Sequence, residues 1–513
     1  MESNTMIANP FHPLVNLADL HLRPTAEQDR AFVESEADIA HAILHDFADR
    51  NPQLSARHGI MPWQKRAAQI VAAVIIIAAV LAPSALLVAL IAVTSAIVAV
   101  SFVVAMAGLQ RRSREGRRQT SELTDEQLPT YTILVPAYRE EEVIGDMVDC
   151  LTNVNYPTQR LEVLFLVEST DTATQAAITA AEPPPHMRIV QVPPGPPRTK
   201  PRSCNAGLLV AKSELLVIFD AEDRPEPDQL RRAAEVFAGN PSELACVQAV
   251  LQTSNVETNL LAHCFGVEYA RRFRMTVPGL AAFGAPFPLG GTSNHFRTDV
   301  LRQVGGWDAW NVSEDADLGM RLHALGYRTD VVDSVTLGDA PDRLRDWISQ
   351  RTRWHKGFLL TALVHTRSPR QAVHRFGLRG LLTLLVFVLG MPVQFLAQTV
   401  IFTLGVADTL GYGGLFTVAV DPGAIALVQL GGTLTWLLAT YLAHADQRRS
   451  HLRAIAALPL YWLAHWVAAW RALYQLVKAP FLWEKTAHRG AATTATGAVN
   501  RLPEPTAVPA SQR

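Results

Sequence analysis

Cysteine is scarce in this 513-residue chain, and the four present, Cys150, Cys204, Cys246 and Cys264, show no disulfide or metal spacing. That argues against a disulfide framework and a thiolate metal site, and it suits a reducing cytosolic compartment in which each is a small buried hydrophobe. Net charge is scarce too: 46 basic against 47 acidic side chains leave −1 at pH 7, so there is no global pull toward nucleic acid. A secretory leader is not expected, because the first apolar run begins too far in and lacks the right flanks. Charge is missing altogether from Ala67 to Leu109. That run is long enough for two membrane crossings of about 20 residues each, and Pro83 and Ser84 break it into a hairpin. Lys65 and Arg66 precede it and Arg111, Arg112, Arg114, Arg117 and Arg118 follow it, which by the positive-inside rule puts both ends in the cytoplasm.

What is present divides along the chain. Residues 1–64 contain an amphipathic helical pattern, "AEQDRAFVESEADIAHAILHDFADR", and no chemistry. After the hairpin at 65–110, residues 128–361 alternate strand-like runs ("YTILVP", "LEVLFLVE", "MRIVQVP", "ELLVIFD") with helical ones such as "EEEVIGDMVDCLTNV". The alternation predicts an α/β domain with a mainly parallel sheet, inserted between membrane segments, with its ligand site at the carboxyl ends of the strands. Residues 362–453 hold an interfacial segment and two further crossings, Leu381 to Leu404 and Ile425 to His444, with Arg448, Arg449 and Arg453 marking the return inside. In 454–480, Trp462, Trp466, Trp470 and Tyr474 recur every fourth residue beside Arg471 and Lys478, the pattern of a helix lying in the interface. The tail 491–513 is rich in Ala, Thr and Pro and is expected to be disordered.

Candidate chemistry sits after the strands. "ELLVIF" runs into "DAEDRPEP", where Asp220, Glu222 and Asp223 crowd together and would raise one another's pKa unless a cation neutralises them. Mg2+ or Mn2+, which take hard oxygen ligands and then a diphosphate, answer that need; a solvated acidic turn before a helix is the plain alternative. Glu168 ends its strand, Tyr138 offers a flat face for a base, and Glu140 an acceptor for a ring N–H. Lys200 can reach a phosphate, and Asn205 either braces its loop or contacts the nucleoside. Glu314, Asp315 and Asp317 open a helix in "NVSEDADLGMRLHALGY", a placement the helix dipole favours by itself and one that also suits a general base. In "PLGGTSNHF", Gly290 and Gly291 allow close backbone approach to a ligand. If "DWISQRTRWHKG" is helical, Gln350, Arg353 and Trp354 share one face, with a planar fork for a diphosphate and an indole for a sugar. The other reading of that cluster is a basic anchor touching lipid; Arg351 points off the shared face, toward lipid or a carboxylate.

"DAE", "SED" and "QRTRW", in this order and followed by membrane helices, resemble the motifs of the processive family 2 glycosyltransferases, the cellulose, hyaluronan, curdlan and related polysaccharide synthases. The likeness covers Thr130 to about Thr361 closely and extends more loosely to Gly490. It implies a GT-A, Rossmann-like nucleotide-diphosphosugar domain, Asp315 as general base, and a metal on Asp220 and Glu222, with Glu222 replacing the usual second aspartate and Glu168 standing where the family has an aspartate. It further implies a UDP-sugar donor, a polysaccharide or oligosaccharide acceptor, contacts from Glu314, Gln350, Arg351, Arg353 and Trp354, and a gating loop at 481–490 that carries Trp483, Glu484, Lys485, Thr486 and His488. The expected location is the inner membrane with the catalytic domain cytoplasmic, as an oligomer or with an export subunit. A non-processive transferase using a lipid-linked or oligosaccharide acceptor, and a non-catalytic export subunit, are the rival readings.

Overall fold

A computed structural model describes residues 36–115, 122–240, 242–410, 422–443 and 448–484. Helix α1 (Glu36–Arg50) leads to α2 (Pro62–Leu81) and α3 (Pro83–Glu115), which break at Ala82 just before Pro83. The α/β part follows: β1 (Tyr131–Ala137), α4 (Ile144–Thr152), β2 (Leu161–Glu168), α5 (Thr172–Ala180), β3 (Met187–Val192), α6 (Lys200–Val210), β4 (Leu215–Ile218) and the short β5 (Arg224–Pro225). Then come α7 (Gln229–Ala238), β6 (Leu244–Thr253), α8 (Leu260–Arg271), α9 (Val277–Ala282), β7 (Asn294–Arg297), α10 (Thr298–Gln303), α11 (Glu314–Ala324) and β8 (Arg328–Gly338). The chain ends in α12 (Leu344–His365), α13 (Pro369–Thr383), α14 (Gly390–Thr409), α15 (Pro422–Ala443) and α16 (Arg448–Lys478).

The eight strands form one sheet in the order β3-β2-β1-β4-β7-β6-β8-β5. Strand side chains alternate between faces, so an apolar run can feed two cores at once. Ile133, Val135, Val163, Phe165, Val167 and Val217 pack into one apolar cluster, whereas Leu134, Leu164, Leu166, Leu216 and Ile218 pack into the other. Burying each such side chain stabilises the fold by roughly 1.5–3 kcal/mol. The sheet is less parallel than the alternation of elements predicts. Strands β3 to β4 are parallel, but β7 runs antiparallel between β4 and β6, and β5 runs antiparallel to β8. β7 is only "NHFR", and it is reached from β6 through α8, α9 and the glycine-containing stretch at 288–293, which bring it back antiparallel to both of its neighbours.

Among the described residues, four helical stretches are long and apolar enough to cross a membrane: Pro62–Leu81, Pro83–Arg111, Pro369–Ala407 and His451–Lys478. The third runs through α13, a π-helical turn and α14, with a kink at Gly377, where φ is 55°. The expected crossing at 425–444 is described as the shorter apolar stretch Leu427–Leu442. The segment expected to lie in the interface is the greater part of α16, which meets the length and composition of a span. Helix α3 is locked to the α/β part by glycine: a Cβ on Gly108 would lie 1.9 Å from the Met275 carbonyl oxygen, and one on Gly279 1.9 Å from that of Val104. The N-terminal segment is seated as firmly. Asp308 accepts from Ser55 Oγ (3.1 Å) and the Ala56 amide (2.6 Å), and Arg367 donates to the carbonyls of Pro52, Gln53 and Gly59.

Candidate active site

A cleft of about 460 Å³ opens over the carboxyl ends of β1, β2 and β4, where the α/β topology predicts it. It is closed on the far side by the start of α11, by one face of α12 and by Trp483. Among the described residues, eight acidic side chains line it against five from lysine or arginine, so these walls favour a cation or a ligand that brings one.

On the β1 and β2 side, Glu168 is buried and accepts from Arg198 Nε (3.0 Å) and Thr170 Oγ1 (2.6 Å). Arg198 also donates to the Tyr138 hydroxyl at 3.1 Å and lies with Arg139 within 5.4 Å of its ring centroid. Tyr138 is thus a guanidinium-flanked wall. Glu140 is buried beside it, its own amide donating to Thr174 Oγ1 at 3.1 Å.

At the end of β4 the three expected metal ligands separate. Asp223 is buried and closes the turn: it accepts from the Asp220 amide at 2.7 Å and from the Thr292 hydroxyl. Asp220 and Glu222 remain at the cleft wall. Lys200, at the first turn of α6, donates to Asp220 and to the Gly291 carbonyl, so its ammonium is committed to the acidic cluster. Burial opposes that charge, but Asp220 and Asp315 outweigh it and hold the lysine protonated. Among the described residues no three Asp, Glu, His or Cys side chains converge as a ready metal cage. Asp220 and Glu222 nevertheless fit Mg2+ or Mn2+, which need only one or two carboxylates when a diphosphate supplies the remaining oxygens.

Helix α11 begins inside the cleft, so Glu314 and Asp315 are buried, 3% and 7% exposed. Burial pushes the Glu314 carboxyl up to about 7 even though Lys200 pulls the other way. Burial and the neighbouring charge of Glu314 raise Asp315 well above the carboxylate range. Asp317 points elsewhere, accepting from Arg321 at 3.3 Å and lying 2.9 Å from His365 Nε2.

Gln350, Arg353 and Trp354 line the cleft together from one face of α12, as their spacing predicts. The Arg353 guanidinium sits 4.4 Å from the Trp483 ring centroid. Four residues that line this volume carry a buried polar atom with no partner among the described residues: Ser313 Oγ, Asp315 Oδ1, Gln350 Oε1 and Arg353 Nε. Buried polar atoms are normally satisfied, so a set of four around one cavity marks where a polar ligand belongs.

Two expected contacts lie away from the cleft. The Asn205 side-chain amide donates to the Ile43 and Trp307 carbonyls and its oxygen accepts from the Trp307 amide, which makes it the loop brace. Arg351 turns to the other side of α12 and bonds Glu268, so the carboxylate alternative describes it. Thr486, with Lys485 and His488, lies outside the described residues, as does the tail from 491. Sequence reasoning overlooked Phe265, Tyr269 and Phe273, an aromatic stripe at every fourth residue along α8 and the turn after it that faces the cleft. It also overlooked Gln248, which orders the stretch at 290–292 by accepting from the Gly290 amide (2.7 Å) and donating to the Thr292 carbonyl (3.0 Å).

The family model described as "Glycosyl transferase family group 2" matches residues 215–473. "Probable glycosyltransferase YdaM" of Bacillus subtilis (strain 168) is 24% identical over 234 residues, 45% of this chain and 56% of that protein. "Probable glucomannan 4-beta-mannosyltransferase 15" of Arabidopsis thaliana is 27% identical over 252 residues, 47% of each. The likeness therefore spans about half the length of these relatives. Among solved structures, the mannosyltransferase PcManGT from Pyrobaculum calidifontis, in complex with GDP-Man and Mn2+, superposes with a TM-score of 0.51 at 18% identity, covering 76% of this chain and 99% of that one. The mixed sheet and this likeness together give a GT-A-like fold.

Proposed function

The chain belongs to glycosyl transferase family group 2, and from that premise we propose that it transfers a sugar, with inversion, from a nucleotide diphosphosugar to the end of a growing polysaccharide. A UDP-sugar is the donor class implied by the motifs, and GDP-mannose, which PcManGT binds, is a second donor to be tried. The observation that carries the reading is the buried Asp315 oxygen without a partner, set among the three other unpartnered polar atoms of the cleft.

In the reaction, the Asp315 carboxylate takes the proton of an acceptor hydroxyl as that oxygen attacks the anomeric carbon. The bond from this carbon to the diphosphate breaks, and its electron pair leaves with the nucleoside diphosphate. Asp220 and Glu222 would hold Mg2+ or Mn2+, which when bound supplies positive charge to the leaving diphosphate. Arg353 adds a planar cation to the same group, while Lys200 donates to Asp220 and balances its charge. Trp354 offers its face to the acceptor sugar, and Trp483 covers Arg353 from the side on which the donor enters.

Chain export is supported by a second cavity of about 380 Å³ between the membrane-type helices, lined by Trp436, Trp462, Trp466, Gln394 and Gln398 among others and sharing Arg272 with the cleft. The basic flanks of the apolar helices support a cytoplasmic catalytic domain on the inner membrane. The test is transfer by purified full-length protein in lipid nanodiscs, given each radiolabelled UDP-sugar and GDP-mannose with Mn2+. High-polymer product that is lost in Asp315→Asn is expected. Short products alone would overturn chain elongation, and an unchanged yield from Asp315→Asn would overturn the base.

A further inference from the structure

Behind the acceptor side of the cleft lies an ion pair that the chemistry above does not use. Arg351 is 1% exposed in its side chain and donates to both oxygens of Glu268, at 3.0 and 2.8 Å. The Tyr461 hydroxyl of α16 donates to the same carboxylate at 2.7 Å, accepts from Arg351 at 3.1 Å, and accepts from Trp347 Nε1 at 2.9 Å. The Arg351 guanidinium carbon is 4.4 Å from the Trp354 ring centroid and 4.7 Å from that of Phe265. Tyr269 completes the layer, stacked on Phe265 at 4.4 Å and on Trp354 at 6.0 Å. Phe265, Tyr269 and Trp354 all face the cleft, so the guanidinium is a plate behind an aromatic wall.

We infer that the Glu268–Arg351 pair is a positioning device for Trp354 and so decides how much of the donor's sugar reaches an acceptor rather than water. The inference rests on the proposed transfer reaction. Its physical basis is that a buried guanidinium keeps one place only while its carboxylate partner fixes it, and the indole stacked on it inherits that place. Burial works against the Glu268 charge, and Arg351 outweighs it and holds the carboxyl below the usual range. The pair also ties the wall to α16. That helix carries Arg471, which donates to Glu484 at 2.7 Å beside Trp483, so one helix braces both the acceptor wall and the donor-side cover.

The experiment compares full-length wild type, Glu268→Gln and the double variant Glu268→Gln/Arg351→Met in nanodiscs with Mn2+ and the UDP-sugars or GDP-mannose. Transfer and hydrolysis are read separately, since water in place of the acceptor gives nucleoside diphosphate and unattached sugar. Glu268→Gln should lower transfer by about 10- to 100-fold, the scale of an ångström-level misplacement, with donor hydrolysis changed less than about twofold. The double variant removes both buried charges and should recover thermal stability without recovering transfer. Recovery of transfer together with stability would reduce the pair to a scaffold and overturn the inference. A readout independent of turnover is the Trp354 contribution to tryptophan fluorescence, taken as the difference from Trp354→Phe. It should shift in the double variant; an unmoved signal overturns the inference. A shifted signal in a protein that turns over no nucleotide sugar would keep the positioning and remove the proposed reaction.

Discussion

Arg353 lies over the ring of Trp483 in the same cleft, the guanidinium carbon 4.4 Å from the indole centroid, although one belongs to α12 and the other follows α16. The contact is held from both sides. Lys356, one turn beyond the arginine, donates to Gln475 Oε1 (3.1 Å) and to the carbonyls of Ala479 (3.2 Å) and Leu482 (2.8 Å). A desolvated cation on an aromatic face is worth up to about 2 kcal/mol. Trp483→Ala should therefore raise the donor KM by about tenfold while leaving the product length distribution intact. A donor KM equal to that of wild type would show that Trp483 does not serve the donor site.

Glu314 sets a pH window. Its carboxyl keeps its proton in the fold up to about pH 7, whereas a solvated glutamate releases it near 4.5. Between these values the folded state binds more protons than the unfolded one, so this residue's contribution to stability falls as pH rises, by up to about 3 kcal/mol. Glu314→Gln removes the proton uptake. The thermal stability of wild type relative to Glu314→Gln should thus decline from pH 5 to pH 8, and a difference independent of pH would contradict the raised Glu314 carboxyl. Transfer runs the other way. Asp315, the proposed base, is raised by burial and by Glu314 and must be ionised to act, so the rate should climb as pH rises.

The carboxylate excess of the cleft makes metal removal a direct test. Treatment with EDTA should abolish transfer, and Mn2+ or Mg2+ should restore it. Asp220→Asn should weaken that restoration so that higher metal concentrations are needed, because the remaining carboxylate and the diphosphate hold the ion alone. Full activity in EDTA would instead leave Lys200 and Arg353 as the whole charge balance at the leaving group.

Much of this was legible in the sequence because burial leaves a simple trace. The runs "YTILVP" and "LEVLFLVE" are apolar on both faces since β1 and β2 feed two cores, and acids after such runs stand out. Gln350, Arg353 and Trp354 could be grouped because helical spacing alone decides which residues share a face. Asp223 could not be told from Asp220 and Glu222, since the difference is a turn hydrogen bond and the Thr292 hydroxyl. The partner of Arg351 was equally invisible: Glu268 lies 83 positions away, and only the packing of α8 against α12 brings them together. β7 escaped because four polar-leaning residues have no period to read.

Gly357 links the motif helix to the proposed base in a way that a single methyl group can probe. A Cβ at this position would stand 2.0 Å from Ser313 Oγ and 2.9 Å from the Ser313 backbone nitrogen, the latter being main chain that cannot swing aside. Ser313 is the residue before Glu314, so the displacement is passed to the first turn of α11 and to Asp315. Overpacking of this kind costs typically about 1–3 kcal/mol. The shift of the base should cost more in rate than in stability, on the order of 100-fold in transfer. Gly431→Ala is the control, because nothing lies within 4 Å of a Cβ there and the helix gains a better former. If Gly357→Ala transferred sugar as fast as Gly431→Ala, the approach of α12 to Ser313 would not govern the position of Asp315.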